Sequence, residues 1–358
     1  MDSRLSPLLV SPERTLREAM RQINENQRGI VLVVDEEGCL LDTATDGDLR
    51  RAVLERVDLD TPLATLAERR VGTTHPKPIT VLEGTPEHEI VALMSRLKLR
   101  HIPVVDAQGH VKDLIIAGET ASDGPLDLPV SALIMAGGLG TRLRPLTDTV
   151  PKPLLPVGNR PIMEDTIRQL AAAGVRRVFV ATHYKAEAIE DYFGSGTRLG
   201  VEMSYIKEEQ PLGTAGALRL LEQPTEPLLV VNGDVLTRVN YRAMLTFHRE
   251  NQADMTVGVG QYEFRVPYGV VETSGVEVER LTEKPRMRYF VNAGVYLLEP
   301  GVLAHVPEGR RFDMTDLIQA LLEAKRRVVS FPITEYWLDV GHHGDYQQAN
   351  ADLREGVR

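Results

Sequence analysis

The chain is poor in the residues that staple small folds: a single cysteine, Cys39, stands among 358 residues. One thiol excludes an intrachain disulfide framework and a cysteine-rich zinc site, and it is compatible with a reducing compartment. Positive charge is outweighed as well, 41 Lys and Arg against 51 Asp and Glu, for a formal net charge of -10. An average surface of that sign repels nucleic acid and anionic membrane, so neither is expected as a partner. Long apolar runs are missing: none approaches the roughly 20 residues that span a bilayer. The N-terminal stretch carries Arg4, Glu13, Arg14, Arg17 and Glu18 where a secretion signal would have an apolar core. A cytoplasmic protein is expected. Low-complexity tracts are absent from a composition that is 42% apolar and 26% charged, which argues against disorder as the main state.

A chain of this length exceeds the usual size of one hydrophobic core, so two domains are the default. The stretch Ala121 to Pro129, ASDGPLDLP, has turn formers and no helical period. It divides the chain into a module over 1–123, a linker over 124–128 and a second module over 129–358.

The stretch from Leu133 to Pro156, LIMAGGLGTRLRPLTDTVPKPLLP, combines three signals. The apolar run Ala132 to Ala136 fits a buried parallel strand. Gly137, Gly138 and Gly140 follow at once, where the lack of a Cβ lets backbone amides approach phosphate oxygens. Arg142 and Lys152 then stand in a loop stiffened by Pro145, Pro151, Pro153 and Pro156, which can hold two cations apart yet aim both at one polyphosphate. A P-loop would need Lys-Ser/Thr after its last glycine, and the dinucleotide fingerprint would need glycine where Leu143 stands. Kinase-type and hydride-transfer chemistry therefore lose ground. Taken alone, Gly137 to Gly140 reads equally well as a tight strand-to-loop turn.

From Pro129 onward strand-like runs alternate with helical stretches: Val130 to Met135, Ile162 to Ala173, Arg177 to Thr182, Ala186 to Phe193, Val201 to Lys207 and Thr214 to Leu221. That order predicts βαβ units in a mainly parallel sheet, with ligands at the strand C-termini. Asp234 ends the apolar run beginning at Leu228, where such a crevice lies, and can hold magnesium or serve as a turn residue. Trp337 reads as packing. His342 and His343, adjacent on an extended segment, lack chelating spacing and read as loop residues.

The first module contains an internal duplication of roughly 60 residues. A helix near Leu16 to Asn24 leads to Gly29-IVLVVD, and Pro86 to Lys98 leads to His101-IPVVD. Each half leaves an apolar face for its twin to cover. The pair resembles tandem CBS domains, regulatory modules that commonly bind adenine nucleotides, most clearly in DTATDGDLRRAV, where Thr45 and Asp48 match the family's polar positions. Both are equally ordinary helix-capping residues. The second half has Ala117 where Thr45 stands, so a second nucleotide site is not expected, and the pair can instead serve dimerisation or docking.

The run GGLGTRLRPLT followed by PKPLLPVGNRPI resembles the signature of the sugar-1-phosphate nucleotidyltransferases, and the resemblance extends to about residue 350. It implies an α/β, Rossmann-like nucleotide-diphospho-sugar transferase fold with a mainly parallel mixed sheet, beside the α+β CBS pair. It also implies Asp339, in WLDVG, as a second metal-binding aspartate with Asp234, and Mg2+ as cofactor. Gln210 and Gly213, in EEQPLGTAGAL, resemble the segment that receives the nucleobase. Glu283 and Lys284 resemble the family's EKP segment, with the carboxylate on sugar hydroxyls and the ammonium on the sugar phosphate. Gly269 and Asn292 resemble further sugar-contacting positions.

The implied reaction is in-line attack by a sugar-1-phosphate on the α-phosphorus of a nucleoside triphosphate, with Arg142 on the departing pyrophosphate, Lys152 at the reacting centre and Lys284 on the incoming phosphate. The acceptor phosphate is ionised near neutral pH, its second pKa being about 6, so no general base is needed. EEQPLGTAGAL and the ending FDMTDLIQALLEAKRRVVSFPITEYWLDVG resemble the guanylyltransferase branch, which favours GTP. A UTP- or TTP-dependent transferase, and a noncatalytic nucleotide-sensing scaffold, are the alternatives. A homo-oligomer is expected.

Overall fold

Residues 5–69, 77–117, 127–222 and 224–357 are described by the computed structural model. Contacts divide the chain into Met1–Pro125 and Leu126–Arg358. Residues 124–126 of the expected linker, and those following Ala117 in the second half of the duplication, lie outside the described residues. No helix among the described residues is long and apolar enough to cross a membrane.

The N-terminal unit repeats one pattern twice. In the first half the helix Leu16–Asn26 precedes the antiparallel pair Ile30–Val34 and Leu40–Thr45; in the second, Glu87–Leu97 precedes His101–Val105 and Val111–Ile116. The repeat is longer than the roughly 60 residues expected from sequence. Asp35 and Asp106 open equivalent turns closed by Gly38 and Gly109, and the turns meet through Leu40 N–H to Gly109 O and Val111 N–H to Gly38 O. The halves share a core, since Val111 and Leu114 of the second pack against the cluster Leu5, Leu8, Ile30 and Leu32 of the first. Burying each half's apolar face against its twin removes from water what neither could cover alone. Thr45 caps the helix Asp46–Leu54: its hydroxyl accepts from the Asp48 amide at 3.2 Å, and the Asp48 carboxylate accepts from the Thr45 amide at 3.0 Å.

His101 joins the halves through a hydrogen bond of 2.9 Å from Nε2 to the carbonyl of Arg28. Burial pushes its pKa from 6.5 down to about 4. The folded value lies below the unfolded one, so the stability His101 contributes is fully present above about pH 6.5 and is lost as pH falls toward 4. We expect the His101 ring protons to titrate near 4 in an NMR experiment and amide protection in this unit to fall over that interval. A midpoint near 6.5 with flat protection would remove the imidazole from the shared core.

The second unit is built on a seven-stranded sheet whose spatial order is Glu202–Lys207, Arg177–Thr182, Ser131–Met135, Leu228–Asn232, Arg286–Leu298, Met255–Arg265, Val328–Ile333. All neighbouring pairs are parallel except the two made by Arg286–Leu298, so the sheet is mixed and mainly parallel, as expected. The central strands read as continuous buried runs, SALI and LLVV, rather than alternating ones, which is the pattern of a sheet covered on both faces. The helices Ile162–Ala173 and Ala186–Phe193 and the strand Arg177–Thr182 have the bounds predicted from sequence. The stretch expected as a helix from Thr214 is shorter and tighter, one α-turn over Gly213–Gly216 and a 3-10 segment over Ala217–Leu220.

Candidate active site

A cleft of about 410 Å³ opens at the C-terminal ends of the central strands. Gly137, Gly138 and Gly140 line it directly after the strand Ser131–Met135, and Arg142 follows in a 3-10 turn anchored by the buried Leu143. Gly140 has φ of +63°, and a Cβ there would stand 2.9 Å from the Thr147 methyl, whose hydroxyl donates to the Gly140 carbonyl at 2.8 Å. The turn thus requires glycine at that position. Lys152, in the 3-10 turn Lys152–Leu154, returns to the same cleft and is only 9% exposed.

Asp234 also lines the cleft, carried there by Asn232-Gly233 at the end of Leu228–Asn232. Gly233 allows the chain to pass the neighbouring strand, donating to Met135 O at 2.9 Å where a Cβ would come within 2.7 Å. Asp339 arrives from far along the chain because the strand Trp337–Asp339 pairs antiparallel with Val235–Thr237, in register Val235 to Asp339. Val340 N–H then donates to Asp234 O at 3.0 Å. Burial first, and the Asp234 charge second, push the Asp339 carboxyl pKa up, against the pull of Lys152 and Arg142. Lys152 Nζ donates to Asp234 Oδ2 at 2.6 Å. Among the described residues no group of three or more His, Cys, Asp or Glu is placed to hold a metal. The centre is two carboxylates and two cations. His343 belongs to no loop, contrary to the sequence expectation: it begins the helix His343–Arg354, His342 is the cap, and Nε2 of His343 hydrogen-bonds Arg144 O at 2.8 Å. Asp345, three residues after His342, accepts from its amide at 2.7 Å, the signal that marks the cap.

Sequence reasoning missed the group at the opposite end of the cleft. Glu208, the residue just after the strand Glu202–Lys207, lines it and is 7% exposed. Its Oε2 accepts from Leu212 N–H at 2.9 Å, and its Oε1 would lie 2.9 Å from a Cβ on Gly137, so the glycine opens the space in front of it. Burial pushes the Glu208 pKa up. Gln210 is not among the lining residues; its side-chain amide donates instead to Gly309 O at 3.2 Å. The position was legible from the rule that ligands gather at strand C-termini, which picks Glu208 ahead of Gln210.

Gly213 lines the cleft at φ of +80°, where a Cβ would come within 2.5 Å of Asp313 Oδ1 and 2.7 Å of Phe312 O. Asp313 accepts from Thr214 N–H at 2.9 Å, and the Thr214 hydroxyl accepts from Met314 N–H at 2.8 Å, so two helix starts cap each other across the cleft edge. Gly213→Ala is expected to destabilise the protein by about 1–3 kcal/mol through the strained φ and the backbone clash. Thermal unfolding checks this, and an unchanged Tm would mean that the loop yields.

Gly269, Glu283, Lys284, Asn292 and Asp339 are not among the residues lining the cleft, although Asp339 lies close enough to feel the charges of Asp234, Lys152 and Arg142. Gly269 and Glu283 do meet, a Cβ on the glycine lying 3.0 Å from Glu283 Oε2, and Lys284 Nζ is 3.7 Å from Glu283 on an exposed arm. Asn292 Oδ1 accepts from Gly294 N–H at 3.0 Å. Trp337 packs over Gly260 and donates from Nε1 to Ala293 O at 2.8 Å. Thr45 and Asp48 belong to the N-terminal unit, in the cap described above, and Asp48 also accepts from Arg51 at 2.6 Å.

Residues 131–356 match the family model for nucleotidyl transferases, and residues 3–55 and 70–116 match that for CBS domains. A mannose-1-phosphate guanylyltransferase of Mycobacterium tuberculosis is 34% identical over 237 residues, covering 64% of this chain and 66% of that protein. A mannose-1-phosphate guanyltransferase of Yarrowia lipolytica is 35% identical over 234 residues, covering 61% and 62%. The chain thus spans just under two thirds of the length of these relatives. Two solved structures share the fold: a Bacillus anthracis protein assigned as a glucose-1-phosphate thymidylyltransferase has TM-score 0.52 and 24% identity, covering 63% of this chain and 96% of that one. HddC from Yersinia pseudotuberculosis has TM-score 0.50 and 24% identity, covering 62% and 99%.

Proposed function

Because the chain belongs to the nucleotidyl transferase family, we propose that it moves a nucleotidyl group from GTP to a sugar-1-phosphate, releasing pyrophosphate. The observation that carries the reading is one cleft lined by Glu208, the glycine turn, Arg142, Lys152 and Asp234, in which the strand leading to Asp234 adjoins the strand leading to the turn and the strand leading to Glu208 lies on the far side of it. Guanine presents two adjacent donors, N1–H and the N2 amine, to which one carboxylate can accept twice. Uracil and thymine present one N–H between carbonyls that a carboxylate repels. Mannose-1-phosphate is the first acceptor to test, since the relatives are named for it.

In the reaction a phosphate oxygen of the acceptor bonds to the α-phosphorus of GTP, the α–β anhydride bond breaks, and its electron pair leaves on pyrophosphate. The barrier is the approach of two anions, which fixed positive charge offsets. We assign Lys152 to the reacting phosphorus, Arg142 to the leaving pyrophosphate and Lys284 to the incoming acceptor phosphate. Asp234 and Asp339 fit a hard divalent cation, which we take to be magnesium: both would offer carboxylate oxygens, and the pairing of Val235 with Asp339 brings the second acid beside the first. When bound, such an ion neutralises charge on the phosphate oxygens.

We further infer that the N-terminal unit responds to an adenine nucleotide near Thr45 and Asp48, and that the protein is a homo-oligomer. The CBS matches support the first inference. Titration with AMP and ATP, repeated on Thr45→Ala, separates a ligand site from a cap, and light scattering reads the assembly. The transferase reading is tested by pyrophosphate release with magnesium, using GTP, UTP, TTP, CTP and ATP against a panel of sugar-1-phosphates. Turnover dependent on GTP and one sugar is expected. Absence of turnover in folded protein that still binds nucleotide would favour a sensing scaffold.

A further inference from the structure

Asn232 lines the cleft two residues before Asp234, yet its Oδ1 is buried with no hydrogen-bond partner among the described residues. Such an acceptor is costly unless something donates to it. The side chain is also firmly placed: Gly294, at φ of +70°, has no Cβ, and one built there would stand 2.6 Å from Asn232 Nδ2. At this point the strand Arg286–Leu298 breaks register, its pairing with Met255–Arg265 passing from Tyr296 opposite Val257 to Asn292 opposite Val259. The break is pinned from two sides, by Gly294 N–H on Asn292 Oδ1 and by Trp337 Nε1–H on Ala293 O. The fold therefore presses a bulge against an amide whose oxygen has no donor.

The sheet gives that amide a side. In spatial order the strand ends present Glu208, then Gly137, then Asn232 and Asp234, and next the bulge of Arg286–Leu298. With a base at Glu208 and phosphates at the glycine turn, the nucleotide occupies the side of Asp234 toward Glu202–Lys207. What attacks must come from the other side, the one Asn232 and Gly294 share. We propose that Asn232 is an acceptor-binding residue, its Oδ1 receiving a hydroxyl hydrogen from the ring of the incoming sugar-1-phosphate. This rests on the transferase reading above.

The test compares the wild-type protein with Asn232→Leu, which keeps the shape and removes the polar atoms. The KM for the sugar-1-phosphate is expected to rise about 10-fold or more, with the KM for GTP unchanged within about 2-fold. Tm should stay level or rise, because a buried unpaired acceptor has been removed. Deoxy analogues of the acceptor give a readout that packing would not move. Wild type should lose affinity for the analogue lacking the bound hydroxyl, and N232L should treat that analogue and the parent sugar alike. A rise in the GTP KM instead, a joint fall for both substrates with a lower Tm, or no change at all would overturn the inference while leaving the transferase reading in place. A wild-type protein that turns over no sugar-1-phosphate would defeat that reading and the inference with it.

Discussion

Replacing Lys152 with methionine is expected to lower kcat by about 10²- to 10³-fold, the usual loss when one fixed positive group is taken from a developing anion. The residue is only 9% exposed and its ammonium is bonded to Asp234 at 2.6 Å, so it does not reorient to find the phosphates as a surface lysine would. Methionine keeps most of the stem's packing but leaves Asp234 and Asp339 without that cation. Folding should survive, because the pair lies at the open end of the sheet and not in the run Leu228–Val231 that carries the core. The discriminating comparison is single-turnover rate against Tm. A slow enzyme with a near-native Tm supports the assignment; an unfolded variant, or one that turns over normally, removes Lys152 from the reacting centre.

Glu208→Gln is expected to reduce kcat/KM for GTP by about 10²-fold and to erase most of its preference over UTP, toward the upper end of the 1–3 kcal/mol that a good bidentate base contact contributes. The amide keeps one acceptor and offers a donor, so it no longer accepts from both guanine groups and no longer repels a pyrimidine carbonyl. Its effect should be confined to the nucleotide: KM for the sugar-1-phosphate stays constant. The Leu212 amide, now bonded to Glu208 Oε2 at 2.9 Å, can bond the glutamine oxygen in the same way, so the loop should hold its shape. Equal losses for GTP and UTP would mean that Glu208 supports the loop without reading the base.

Much of the fold was legible because local signals agreed with one another. The apolar run before Gly137 fitted a covered strand, which Ser131–Met135 is, and the helix Ile162–Ala173 stops at Gly174, which takes φ of +94° as a helix-ending glycine should. Of the residues named from sequence, Gly137, Gly138, Gly140, Arg142, Lys152, Gly213 and Asp234 meet in the cleft. The others are instructive. Glu208 and Gln210 are two positions apart in a loop with no period, and only the strand's end distinguishes the one that turns inward. Asp313 and Asn232 carry no motif of their own; the first reaches Gly213 by a pairing that spans about a hundred residues, and the second is exposed as unusual only by what fails to bond it. The break in register at Ala293 is likewise a property of two strands together, and neither strand's sequence announces it.

The pairing of Val235–Thr237 with Trp337–Asp339 has a consequence in time as well as space. During synthesis the glycine turn, Lys152 and Asp234 all emerge long before the second carboxylate does, and closing so long a loop is among the slower steps a chain of this topology takes. The nascent protein can therefore shape the cleft around the glycine turn and Lys152 before Asp339 exists to stand beside Asp234.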